Sequence, residues 1–494
     1  MIQNAFVLTG ANLLLRLLGT AFQVWLSRQM GAAGIGLLQL TMSVGSLAMI
    51  AGMAGVRTAT MYLSAEELGR KQPQNTVWVL SGCTRYSFLA SLTVAAALLL
   101  LAPRIAEHWI GESLVTPCLR LFALFLPVCC LSGVMSGYFT AANRIRALAA
   151  VEVAEQLTSM TVTVCALVLW AKGSSIRCCQ AVILGSGMGA CMTLVTLVLL
   201  RLRERYKIPA PIPVKKRLLS VALPLAGADI LKSGINTTEN LMVPKRLALH
   251  PGMAAPLASF GLLGGMVFPV LMFPSCILFS LAELLIPELA RCRAGEDPVR
   301  IRYLAQKSLS ISFLYGFFLA GAMFLEAGPL CDLLYQNSEA GAWLRRYALL
   351  IPMLYSDAVI DAMTKGLGQQ TKCVRNNIFT SALDVIFLYL LLPWKGMEGY
   401  YLSFLITHLT NFLLSLRLLR QSAGGSLFSG SIGLYGLCAF FAALVAGLLR
   451  APLPRLLGYT ALFFSASTVT GAITPEDRKW FRNLFHSRKA TFSR

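Results

Sequence analysis

Two stretches of otherwise apolar sequence carry polar residues at helical spacing. In ALPLAGADILKSGINTTENLMVPKRL (222–247), Asp229, Lys232, Asn236 and Glu239 recur at i, i+3, i+7 and i+10. In NLLLRLLGTAFQVWLSRQMGAAGIGLLQL (12–40), Asn12, Arg16, Gly19 and Gln23 recur at i, i+4, i+7 and i+11. Either set falls along one face of a helix. Arg16 has no acid within a turn, and a guanidinium binds phosphate oxygens bidentately, so this face suits an anionic ligand such as a pyrophosphate. Arg57, Arg85 and Arg120 add positive charge, although each lies near enough to a segment end to reach the interface instead. Asp229 and Lys232, three apart, can also pair with one another and simply fix packing.

A second kind of chemistry is suggested by carboxylates beside hydroxyls. Thr380 and Asp384 stand one helical turn apart, as do Asp357 and Asp361. Such oxygens suit a hard cation such as Na⁺, or a carboxylate that couples to protons. His408 has no neighbour of this kind and reads as a buried histidine with a satisfied partner.

The elements that hold these residues are membrane helices. Of the 494 residues, 56% are hydrophobic and 13% charged, against about 25% charged in an ordinary soluble domain. No soluble interior accommodates that much apolar surface, whereas runs of about 20 apolar residues match a hydrocarbon core of about 30 Å. Fourteen segments are expected, near 5–28, 36–63, 76–101, 116–140, 150–171, 178–201, 218–243, 259–288, 303–327, 344–363, 377–394, 400–420, 431–449 and 456–473. An ionisable group inside such a segment normally faces a cavity or a partner.

The net charge of +21 does not point to nucleic acid. The basic residues sit in short clusters between apolar runs rather than on one solvated face with interleaved aromatics. Arg70–Lys71, Arg144/Arg146, the 201–217 loop, 291–307, 365–375, Arg417/Arg420 and the tail from Arg478 fall on one side, which places both termini in the cytoplasm. The 13 cysteines lie mostly in apolar runs without Cys-x-x-Cys or Cys/His clusters, so neither a disulfide framework nor a metal site is expected. The N-terminus lacks a basic region followed by a small-residue cleavage site and reads as a retained helix.

RLRERYKIPAPIPVKKR (201–217) is the longest polar break in the first half, and its three prolines suit a linker. RLFALFLPVCCLSGVMSGYFTAANR from Arg120 aligns without gaps to RRYALLIPMLYSDAVIDAMTKGLGQ from Arg345, matching Arg120/Arg345, Ala123/Ala348, Leu124/Leu349 and Pro127/Pro352. These are segments 4 and 10. A repeat six segments apart implies two lobes with a substrate path between them. The expected organisation is a six-helix lobe over 1–207, a second over 208–425, an extra helix pair over 426–474 and a basic cytoplasmic tail over 475–494. No G-x-x-x-x-G-K-[ST] loop is present for ATP, and no acidic cluster stands in an outer loop to hold a metal. A secondary transporter is expected, not an enzyme.

The 12–40 segment with its Gly-x-x-Gly-x-Gly-type connection resembles the opening of the stage V sporulation protein B and polysaccharide-exporter branch of the multidrug/oligosaccharidyl-lipid/polysaccharide flippases. Residues 222–247 are similar to that branch's seventh helix. GLLGGMVFPVLMFPSCILFSLAELLIPELAR (261–291) and the 347–369 segment extend the resemblance over nearly the whole chain. It implies an all-α polytopic fold, two six-helix lobes around a central cavity, and alternating access. In MurJ-like lipid II flippases of the same superfamily an extra helix pair helps form a groove for the lipid tail, which matches 431–473. Those flippases carry arginines in helices 1, 2 and 8. Arg16 matches the first, while Phe22 and Pro269 stand where further arginines would fall, a departure compatible with the sporulation branch.

The function expected is translocation of an undecaprenyl-pyrophosphate-linked sugar, a lipid II-like precursor or polysaccharide unit, across the bacterial plasma membrane for cell-wall or spore-cortex synthesis. Asn12, Arg16, Gln23, Arg57, Arg85, Asp229, Lys232, Asn236 and Glu239 would line the cavity. Asp357, Asp361, Thr380 and Asp384 would couple transport to Na⁺, H⁺ or the membrane potential, with no cofactor. Membrane lipids and cell-wall synthesis enzymes are the expected partners. The alternatives are a cation-coupled multidrug antiporter on the same scaffold, in which Asp384 and Glu239 dominate, and a non-transporting scaffold that recruits enzymes through its basic loops.

Overall fold

A computed structural model describes residues 2–170, 174–204, 213–424 and 431–473. The middle of the expected linker (205–212) and the tail beyond 473 lie outside the described residues. The helices are α1 (Ile2–Met53), α2 (Val56–Gly69), α3 (Thr76–Arg104), α4 (Thr116–Ala141), α5 (Ile145–Leu169), α6 (Ser175–Leu202), α7 (Val214–Leu247) and α8 (Pro256–Leu262). There follow α9 (Phe268–Met272), α10 (Cys276–Ala294), α11 (Pro298–Tyr335), α12 (Ser338–Ala348), α13 (Ile351–Gly366), α14 (Gln370–Ala423), α15 (Ser431–Ala446) and α16 (Pro452–Val469).

Two of these are pairs of arms joined at a glycine. α1 breaks at Gly31 (φ 68°) and α14 at Gly396 (φ 56°), conformations that a residue with a Cβ adopts only under strain. Counting those arms separately, and joining α2 to the second arm of α1, α8–α10 together and α12 to α13, yields the fourteen expected segments. Among the described residues, nine helical stretches are long and apolar enough to cross a membrane by themselves. The chain is an all-α polytopic membrane protein.

Proline chemistry explains the least regular segment. Residues 256–294 carry Pro256, Pro269, Pro274 and Pro287. Each lacks an N–H and crowds the preceding turn, and the run is accordingly divided among α8, a π turn at 263–267, α9, a 3₁₀ turn at 273–275 and α10. The two members of the internal repeat handle proline differently. Pro127 is carried inside the unbroken α4, whereas Pro352 opens α13 directly after α12 ends.

The chain separates into two compact units. One comprises Met1–Met266 with Asp384–Tyr400, the other Val267–Leu383 with Tyr401–Arg494. In the first, a core of Val56, Leu63, Val79, Val134, Tyr138, Phe139 and Leu197 also takes in Val214, Leu218 and Ala222 from α7. At one edge, Glu204 accepts from Tyr138 Oη (2.6 Å) and pairs with Arg201 (3.0 Å) and Arg144 (2.5 Å), tying the end of α6 to α4 and the α4–α5 turn. In the second unit, α15 and α16 pack on α11 through Ala322, Cys438, Ala439, Ala442, Ala446, Tyr459 and Phe463. Asp297 caps α11 by accepting the Arg300 backbone N–H at 2.9 Å, leaving Pro298 at a first-turn position where no N–H is needed.

Candidate translocation site

The α7 stripe is held open between two contacts. Toward one end, Ala222 and Ala226 press against Gly55, where an added Cβ would stand 2.5 Å from the Ala222 carbonyl oxygen. Toward the other, Thr237 Oγ1 donates to the Ser43 carbonyl (3.2 Å) and Asn240 Nδ2 to Ser43 Oγ (3.0 Å). Between them Ala226, Ser233 and Thr237 are buried, yet Asp229, Lys232 and Asn236 are exposed. Asp229 and Lys232 lie halfway along a 34-residue helix, and neither forms an ion pair among the described residues. Charges at that depth are too costly to face lipid. In a bilayer they would need water or a polar partner there.

The remaining expected cavity residues lie in the same unit. Arg16 is exposed and Gln23 half-buried on the first arm of α1, while the side chain of Asn12 lies outside the described residues. Arg57 (α2) and Arg85 (α3) are exposed. Arg57 is within electrostatic reach of Glu152 on α5, and Glu155, one turn on, accepts from Thr193 Oγ1 of α6 at 2.7 Å. Glu152 and Glu155 were missed by the sequence reading. The rule that found the other stripes would have found them, because two carboxylates three apart inside an apolar segment share a face.

Glu239 leaves the stripe and joins a different group. It is hydrogen-bonded to Asp384, with Tyr400 beside both. The register that brings them together is visible further along. Arg246 donates from Nε (3.1 Å) and Nη2 (2.8 Å) to the Tyr389 carbonyl and stacks 3.6 Å from the centroid of its ring. His250 Nδ1 meets the Pro393 carbonyl at 3.2 Å. Residues 239–250 and 384–393 thus run side by side in the same direction. A hydrogen bond between two carboxyl groups contains one shared proton.

Thr380 does not join Asp384. Its hydroxyl is directed to the Asn376 and Asn377 carbonyls and to Asn411 Oδ1 (3.1, 3.2 and 3.2 Å). Asn411 in turn donates to Asp357 Oδ2 at 2.8 Å, leaving Asp357 Oδ1 buried without a partner. Asp361 pairs with Lys365 (2.5 Å) and receives the Cys373 thiol. The two aspartates of α13 thus occupy separate networks. The His408 ring lies against Phe404, with centroids 4.0 Å apart and planes tilted by 43°.

In the second unit, α11, α13 and α15 line an apolar cavity of about 480 Å³ that is open on one side. Phe317, Phe324, Leu349, Pro352, Phe440 and Leu444 supply its large walls, and Gly436, Ala439 and Ala443 make its floor. Among the described residues no cluster of three or more His, Cys, Asp or Glu could hold a metal ion.

The polysaccharide biosynthesis protein family matches residues 1–292. Stage V sporulation protein B of Bacillus subtilis (strain 168) is 23% identical over 417 residues, covering 81% of this chain and 79% of that protein. Sporulation protein YkvU of the same organism is 27% identical over 190 residues, 37% of this chain and 42% of that one. Among solved structures, the lipid II flippase MurJ in an inward closed conformation superposes with a TM-score of 0.74 at 13% identity, over 94% of this chain and 99% of MurJ. An inward-facing multidrug resistance transporter of the MATE family gives 0.67 at 14% identity, over 85% and 98%. These two likenesses establish the fold, and both of those solved proteins are transporters rather than enzymes. The chain belongs to the polysaccharide biosynthesis protein family.

Proposed function

We propose that this protein flips an undecaprenyl-pyrophosphate-linked sugar, a lipid II-like precursor or polysaccharide unit, across the plasma membrane for cell-wall or spore-cortex synthesis. The observation that carries the reading is the exposure of Asp229, Lys232 and Asn236 at mid-depth on α7. A hydrated site there suits a polar headgroup, with Lys232 and the α1–α3 arginines supplying cations for a diphosphate. The apolar cavity of α11, α13 and α15 suits the isoprenoid tail. The relatives add support: both are sporulation proteins by name, and the MurJ likeness covers 94% of this chain against 85% for the MATE transporter.

In this reading residues 1–207 and 208–425 are the two moving lobes, 426–474 the tail-binding pair, and 475–494 a basic tail. Both termini face the cytoplasm, where cell-wall synthesis enzymes would meet the basic loops. Glu239 and Asp384 couple headgroup movement to a proton or Na⁺. The test is headgroup translocation in proteoliposomes with Arg16→Ala and Lys232→Ala. Both variants should lose about 10-fold or more, since a charge-assisted hydrogen bond contributes about 1.5–3 kcal/mol. Undiminished flipping in both would remove the diphosphate site.

The Glu239–Asp384 pair also favours a second reading, a cation-coupled antiporter of organic cations. Expression in a drug-sensitive host separates the two, because acquired resistance abolished by Asp384→Asn would support the antiporter.

A further inference from the structure

The ends of α2 and α7 meet in an ion-pair cluster that the cargo reading leaves unused. Arg217, in the first turn of α7, directs Nη1 to Glu67 Oε1 at 2.8 Å and Nη2 to Glu66 Oε2 at 2.7 Å. One guanidinium therefore bridges two adjacent carboxylates near the end of α2, whose side chains are 29% and 2% exposed. If a permanent tie of this kind opened without replacement, Glu67 at least would be left as an unpaired carboxylate shielded from water.

Here each carboxylate has a substitute close by in sequence. Arg70 Nη2 donates to Glu66 Oε1 at 2.6 Å, and Arg70 Nη1 lies 3.9 Å from Glu67 Oε1. Asn75 Nδ2 donates to Glu67 Oε2 at 2.9 Å. All of these residues lie between 66 and 75, so α2 and its following turn keep both acids partnered when Arg217 departs. The departing guanidinium carries two free Nη groups, the fork that matches two oxygens of a diphosphate.

We propose that Arg217 is an exchangeable latch: it closes the α2–α7 seam by bridging Glu66 and Glu67, and it passes to the anionic headgroup when cargo loads from the side assigned above to the cytoplasm. The proposal rests on the diphosphate-lipid reading. It makes loading self-selecting, because a neutral or cationic molecule offers Arg217 nothing in exchange for the carboxylates. Val214 and Leu218 stay packed against α2 and α3, so weakening the ion pairs leaves the fold intact.

The test uses the full chain in lipid nanodiscs, with backbone hydrogen exchange read over 214–222. Binding of undecaprenyl pyrophosphate is measured in the same samples. Wild type should exchange slowly and speed up several-fold on adding the lipid. Glu66→Gln/Glu67→Gln should exchange fast without it, and Arg217→Lys, which keeps the charge but not the fork, should show a reduced response. If the lipid binds but leaves exchange unchanged in wild type, the latch fails and the cargo reading stands. Equal exchange in wild type and the double variant without the lipid also overturns the latch. If the lipid does not bind at all, both readings fall.

Discussion

Arg455 on α16 grips Glu326 on α11 with two parallel bonds, Nε to Oε1 at 2.6 Å and Nη2 to Oε2 at 2.8 Å. Both side chains are largely removed from the surface, at 17% and 14% exposed, so either one alone would be an uncompensated charge. Glu326→Ala is therefore expected to destabilise the docking of the α15–α16 hairpin by about 3–5 kcal/mol. Measured as detergent-solubilised thermal stability, Glu326→Ala and Arg455→Ala should each lower the midpoint. Their combination should cost less than the sum, and additivity would mean that the two bonds contribute no pairwise energy.

The Glu239–Asp384 hydrogen bond leads to a prediction about coupling. Two carboxyl groups sharing a proton respond to the proton or cation supply on the side to which they open. Translocation measured with and without an imposed pH or Na⁺ gradient should depend on one of them in wild type. Glu239→Gln and Asp384→Asn should each flatten that dependence while keeping binding of the headgroup, for which the proposed site is Asp229, Lys232 and Asn236 nearer the middle of α7. Thr380→Ala should leave the dependence in place, because its hydroxyl bonds to Asn411 and the Asn376 and Asn377 carbonyls rather than to Asp384.

That contrast indicates what sequence could and could not reveal. The membrane helices were legible because each must be long and apolar, and the α7 stripe because its residues share one face by spacing alone. The break in α1 lies within the Gly-rich connection at 31–36, but nothing in the spacing announces a left-handed φ at Gly31. Partners across helices were not legible. Thr380 and Asp384 are one turn apart, yet their hydrogen bonds run to opposite neighbours, and only the register of α7 beside α14 decides that Glu239 meets Asp384. The Arg217 bridge was hidden for the same reason, since Glu66 and Arg217 are about 150 positions apart.

The seam between α1 and α8 should be intolerant of any added side chain. A Cβ on Gly261 would stand 1.9 Å from the Ala32 carbonyl oxygen, and one on Gly36 would stand 2.4 Å from that of Leu257. These are backbone atoms and cannot rotate away. Gly261→Ala is expected to force the helices apart at a cost of about 1–3 kcal/mol, visible as a lower thermal midpoint. Gly433→Ala is the control: it meets nothing within 4 Å and should hold or slightly raise the midpoint through helix propensity. Equal behaviour of the two variants would mean that the seam is not closely packed in the membrane.

The apolar cavity of the second unit yields a prediction about rate rather than affinity. An isoprenoid tail moving from bilayer to this cavity exchanges one apolar surrounding for another, so the usual hydrophobic gain is largely absent. What the cavity can supply is orientation, holding the tail while the headgroup crosses. Ala443→Trp places a large ring into the space bounded by Phe317, Phe440 and Leu349. Turnover of a long-chain substrate should then fall about 10-fold or more with little change in its apparent affinity, whereas a short-chain analogue should cross at an undiminished rate. A matched loss for both chain lengths would instead indicate that the bulky residue disturbs the packing of α15 on α11. The thermal midpoint of the variant, compared with that of Glu326→Ala, would register that disturbance independently.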